Sequence, residues 1–118
     1  MANFGIFVGF GEPVRGRETK SLELFNETMQ YYSRLQEEGT IESWEVAFLE
    51  PHGGDLNGFF LLKGDSDKLA HLRQDAEFTR QTIRAGTIVE RLGVVGAWLG
   101  EGLSEVVNAY QEAVGQLG

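Results

Sequence analysis

The chain has 118 residues, a formal net charge of -8 at neutral pH, sixteen glycines, two histidines and no cysteine. Its length suits one domain with a core of its own. The missing cysteines exclude disulfides, thiolate nucleophiles and thiolate metal sites, and the acidic balance argues against nucleic acid and anionic membrane surfaces, which are bound through Lys and Arg. Met1 leads into ANFGIFVGFGE without a basic n-region, and no apolar run approaches about 18 residues. A soluble, cytoplasmic protein is therefore expected.

The first element is a strand in NFGIFVGFGE. Phe4, Ile6, Val8 and Phe10 alternate onto one face, and Gly5, Phe7, Gly9 and Gly11 onto the other. EPVRGRETK reads as a loop. A helix follows from about Ser21 to Glu38, with Leu22, Phe25, Met29 and Tyr32 at the spacing of one face and Gly39 as C-cap. TIESWEVAFLE is a second strand, with Trp44, Val46 and Phe48 on one face and Ala47 and Leu49 on the other. PHGGD then supplies a five-residue hairpin turn into a third strand, LNGFFLLKG. Asp65 or Ser66 is the N-cap of a second helix spanning roughly Asp67 to Val89, weakened at Gly86. RLGVVGAWLGEG is the fourth strand. LSEVVNAYQEAVGQL closes the chain as a helix whose Leu103, Val106, Val107, Tyr110 and Val114 share a stripe.

Strand, helix, strand, strand, helix, strand is the split βαβ order of a single α+β ferredoxin-like domain over residues 1–118. Right-handed crossovers place both main helices on one face of a four-stranded antiparallel sheet. The pattern resembles the dimeric α/β-barrel superfamily, which includes antibiotic-biosynthesis monooxygenase-like, EthD-like and stress-responsive barrel proteins. The most suggestive local piece is LRQDAEFTRQTIRAGTIVERLGVVGAWLGE, similar to the second helix and last strand of those proteins. The resemblance implies a homodimer whose two sheets pack face to face. The sequence supplies its own reason for one: the strands are apolar on both faces, while the helices cover one, leaving an exposed patch of more than a few hundred Å².

Three connections fall at one end of the sheet. They bring Glu12, Arg15, Arg17 and Lys20 toward Glu50, His52, Asp55, Glu90 and Arg91. One reading is a polar mouth over a pocket, with His52 as acid/base and Arg15 or Arg17 holding an anionic group. The plainer reading is a solvated rim in which Pro51 and the paired glycines make a turn that happens to include a histidine. His71 and Asp75 are i, i+4 neighbours with no third ligand in sight, so neither a metal nor any other cofactor is expected.

Gly5, Gly9 and Gly11 on the first strand, with Gly93 and Ala97 on the fourth, outline a smooth patch. Glycine inside a strand often marks close approach of a ligand or another backbone. Trp44, Trp98, Phe7, Phe59, Phe60, Tyr31 and Tyr32 are taken to stand around it. Three functions remain open. The first is a protein that binds a small apolar or aromatic molecule through Trp44, Trp98, Phe7, Gly9, Arg15 and Arg17. The second, implied by the resemblance, is a cofactor-free monooxygenase or isomerase acting on a small aromatic or polyketide-like substrate. There Trp44 or Trp98 would stack the substrate, Tyr32 would hydrogen-bond it and His52 would be the base. The third is a structural assembly module.

Overall fold

A computed structural model describes residues 2–118. The elements run β1 (Phe4–Phe10), α1 (Glu18–Glu37), β2 (Ser43–Phe48), β3 (Gly58–Gly64), α2 (Ser66–Gln74), α3 (Ala76–Gly86), β4 (Gly93–Trp98) and α4 (Gly100–Gln116). The sheet order is β2-β3-β1-β4, antiparallel throughout.

Register decides which alternating set is core. Val8 lies opposite Phe60 on one side and Val94 on the other, and Ile6 lies opposite Leu62 and Gly96. These residues face the helices. Ile6, Leu62 and Leu69 are fully buried there, with Tyr31, Tyr32, Leu35, Ile41, Leu72 and Phe78. The opposite, open face carries Phe7, Phe59, Leu61, Val95 and Ala97, as the period of two requires. Phe7 and Phe59 stack there at 5.1 Å between ring centroids.

Several elements differ from the sequence reading. Helix α1 begins at Glu18, whose carboxylate accepts from the Gly16 N–H at 3.0 Å and so orders the turn before it. Leu22 does not share the burial of Phe25, Met29 and Tyr32; it is 68% exposed. The hairpin connection is nine residues, 49–57, rather than five. The long second helix is two helices. Asp75 adopts an extended conformation, φ -68 and ψ 140, and its carboxylate caps α3 by accepting from the N–H groups of Glu77 and Phe78 at 3.0 and 3.3 Å. Asp75 is therefore committed to a cap, while His71 Nδ1–H donates to the Asp67 carbonyl at 2.8 Å. Asp75→Ala should lower stability by about 1 kcal/mol, the ordinary cost of losing an N-cap; Asp75→Asn should recover most of it. Thermal melts of the two variants check this.

Helix α4 projects from the body. Its principal neighbour is β4, and its first turn is anchored where Gly102 meets the Asn3 carbonyl too closely for any side chain. The stripe read from the sequence exists, but Leu103, Val107, Tyr110 and Val114 stand 43–70% exposed on it.

Candidate functional site

Between the sheet and the helix pair α1/α3 lies a cleft of about 800 Å³. Val8, Phe10, Phe60 and Val94 form its floor. Leu24, Phe25, Thr28 and Tyr32 of α1 make one wall, and Phe78, Gln81, Thr82 and Ala85 of α3 the other. Two cross-helix pairs hold the walls antiparallel. Arg84 donates to the Glu27 carboxylate, and Arg34 Nη2 donates to Glu77 Oε2 at 2.6 Å. The Arg84 hydrogen bond holds the Glu27 carboxyl below its ordinary pKa. Both pairs are exposed, so they orient the helices more than they stabilise the fold.

The cleft opens at the end of the sheet where the loops gather. Gly11 N–H donates to the Glu90 carbonyl and Glu90 N–H to the Glu12 carbonyl, both at 2.8 Å, so the chain after β1 pairs with the chain before β4. A side chain at Gly11 would stand 2.7 Å from the Glu90 oxygen, and this approach of two backbones is why glycine is there. Arg91 meets Asp55 at 3.6 Å, and Arg17 donates to the Thr87 carbonyl. Of the charged residues expected together at this end, Glu12, Glu50 and His52 line the cleft and Arg91 pairs with Asp55, while Lys20 pairs with Glu23 on its own helix. At the mouth, Leu22 and Phe48 are 68% and 66% exposed beside the polar rim.

His52 lies on that rim, inside the nine-residue loop. Its Nε2 is 2.9 Å from the Leu56 carbonyl oxygen, and its Nδ1 accepts from the Gly54 N–H at 3.2 Å. The carbonyl can only accept, so Nε2 carries the proton and Nδ1 presents its lone pair to Gly54. Both ring nitrogens staple the turn, whose tip at Gly53 has φ +83. Tyr32 lines the cleft wall at 5% exposure. Burial pushes its hydroxyl pKa well up, the neighbouring Tyr31 adding to this, so it is a proton donor in hydrogen bonds and stays protonated. The Tyr31 hydroxyl lies outside this lining; it is buried without a hydrogen-bond partner among the described residues, and its pKa is pushed up to about 12, first by burial.

The other candidates are scattered. Trp44 packs behind the wall, edge-on to Tyr32 at 6.1 Å. Trp98 is 57% exposed at the end of β4. Arg15 and Arg17 lie exposed in the β1–α1 connection, outside the lining. Phe7 and Gly9 are on the open face, behind the cleft floor. The glycine patch and its supposed aromatic wall are thus separated by the sheet: Gly5, Gly9, Phe7 and Phe59 face one way, Trp44 and Phe60 the other. The space over Gly9 is filled by the Phe7 ring and Leu56, 2.7 and 3.0 Å from where a Cβ would stand. The α3 wall was missed from the sequence. Its signal was the cap at Asp75, which sets Phe78, Thr82 and Ala85 on one helix face.

No protein-family model matches the sequence, and no curated protein matches it. Solved structures do. A dimeric protein of unknown function and ferredoxin-like fold from Bacteroides fragilis aligns with a TM-score of 0.58 at 12% identity, over 81% of this chain and 96% of that one. The fold is ferredoxin-like. The PA3566 protein of Pseudomonas aeruginosa superposes with a TM-score of 0.52 at 10% identity, over 85% and 96% of the two chains. At such identities the likeness concerns the ferredoxin-like fold and carries no function across. Among the described residues no helix is long and apolar enough to cross a membrane.

Proposed function

We propose that this ferredoxin-like protein is a homodimer that binds a small apolar or aromatic molecule in the cleft between its sheet and the α1/α3 pair. The observation that carries the reading is the cleft itself: about 800 Å³, with an aromatic and aliphatic floor, a few hydroxyl and amide groups on its walls, and large apolar side chains left exposed at its mouth. This is the usual make-up of a small-molecule site. Tyr32 would donate a hydrogen bond to a ligand carbonyl or hydroxyl, and Leu22 and Phe48 would close over its outer end. The open sheet face, with Phe7, Phe59, Leu61 and Val95, would meet its counterpart in a second copy; the Bacteroides fragilis neighbour is described as dimeric.

Binding is favoured over the monooxygenase or isomerase chemistry implied by the superfamily resemblance. A base in the cleft needs a free lone pair, and the His52 Nδ1 already accepts from Gly54. The test is titration with 1-anilinonaphthalene-8-sulfonate, a flat fluorescent apolar probe. Wild type should bind it saturably. Ala85→Phe, which fills the cleft from the α3 wall, should weaken binding at least tenfold while the far-UV spectrum and melting temperature hold. Equal binding by the two proteins would sink the assignment of the cleft.

A further inference from the structure

The apolar stripe of α4 is used by neither the core, the cleft nor the proposed sheet-to-sheet contact. Leu103, Val107, Tyr110 and Val114 follow one another at i, i+4, i+7 and i+11, so they form one face of the helix. All are 43–70% exposed. Among the described residues β4 is the principal neighbour of the helix, and it leaves these four side chains exposed. A helix of 17 residues whose apolar face is open to water is unfavourable unless something covers it.

The polar face narrows the occupant. It carries Glu101, Glu105 and Glu112 and no Lys or Arg. An interfacial membrane helix needs cations on that face to meet anionic headgroups, so a lipid surface is disfavoured. Area favours a second copy of this chain. The open sheet face, four strands of six or seven residues, projects to about 400 Å², roughly half of the 800 Å² per partner typical of a stable pair. The stripe of α4, about 25 Å long and about 10 Å wide, adds roughly 250 Å². The helix leaves the sheet directly after β4, and its N-cap residue Leu99 reaches the open face, its Cδ1 3.0 Å from where a Cβ on Gly5 would stand, so α4 sets out from the edge of that apolar surface.

We infer that α4 is a dimerisation arm: its Leu103–Val107–Tyr110–Val114 stripe packs against the partner protomer and extends the sheet-to-sheet contact. The inference rests on the dimer reading above, and the experiment separates the two. Wild type, Val95→Asp and the double variant Leu103→Asp/Val107→Asp are compared by sedimentation velocity across a dilution series. Melting temperature and cleft binding of 1-anilinonaphthalene-8-sulfonate report folding. Expected is a dimeric wild type, a Val95→Asp variant that dissociates, and a double variant weakened at least about 100-fold, as the loss of two buried aliphatic side chains implies, with melting and probe binding retained. Dissociation of Val95→Asp alone, the double variant pairing like wild type, would overturn the arm and leave the sheet dimer standing. A monomeric wild type at 100 µM would overturn both. Saturable binding of wild type to phosphatidylglycerol vesicles, lost in the double variant, would also overturn the arm. Should the double variant fail to fold, the cysteine-free chain allows Tyr110→Cys to take an environment-sensitive dye. Its emission must shift to the blue on association and return on dilution; an emission independent of concentration overturns the arm.

Discussion

Phe60→Ala is expected to cost about 3–5 kcal/mol, the range for removing a buried phenylalanine. Phe60 is 5% exposed and stands in the middle of β3, itself a central strand. Four rings touch it: Phe10, Phe25, Tyr32 and Trp44, at centroid distances of 5.1–6.1 Å. They come from β1, α1 and β2, so one side chain joins three elements far apart in sequence. Aromatic pairs of this kind add to plain area burial. At roughly 4 °C per kcal/mol for a domain of this size, the melting temperature should fall by about 12–20 °C. The void would join the cleft, whose floor Phe60 forms, so any residual folded protein should bind flat probes with altered affinity. Phe60→Leu, which keeps most of the volume, should lose less than half as much. Urea denaturation of both variants decides the matter: a loss below about 1 kcal/mol for the alanine variant would mean that the aromatic cluster is not the keystone of the core.

Much of this fold was legible in the sequence because apolar runs of strand length are bounded by turns that glycine or proline marks. The topology followed from element order and the handedness of crossovers. Legibility ended where tertiary pairing decides. Alternation in GIFVGF shows two faces but not which of them the helices cover. That depends on Val8 lying between Phe60 and Val94. The glycine-and-aromatic patch was drawn by adding residues from both faces, and the sheet divides them. The break at Asp75 was hidden because apolar residues on either side keep helical spacing, although an aspartate followed by Ala-Glu-Phe is an N-cap signal in its own right. The cleft needed α3 as a separate helix before its wall could be recognised. Pro51 and the paired glycines mark the turn around His52 but leave its acid/base and turn readings both open; its two hydrogen bonds explain why a histidine serves in the turn: one ring nitrogen accepts, the other donates, across a five-residue span.

Gly9→Val separates the two faces experimentally. Valine suits strands and glycine is costly there, so propensity alone would raise stability. The packing runs against it. A Cβ at position 9 would stand 2.7 Å from the Phe7 ring and 3.0 Å from Leu56 Cδ1. The Phe7 ring cannot swing away cheaply, because it is stacked on Phe59 at 5.1 Å. Two further methyls would drive it off that stack, and overpacking of this sort typically costs about 1–3 kcal/mol. The melting temperature should fall by about 4–12 °C. Because Phe7 and Phe59 belong to the face assigned to the partner copy, the dimer should weaken as well. The cleft floor lies on the other side of the sheet and Leu56 borders both surfaces, so binding of 1-anilinonaphthalene-8-sulfonate well below the melting temperature should change far less than stability or the dimer does. This split distinguishes the two surfaces: a variant that loses probe affinity while keeping its stability and its dimer would place the ligand over Gly9 and remove the helix-side cleft from consideration.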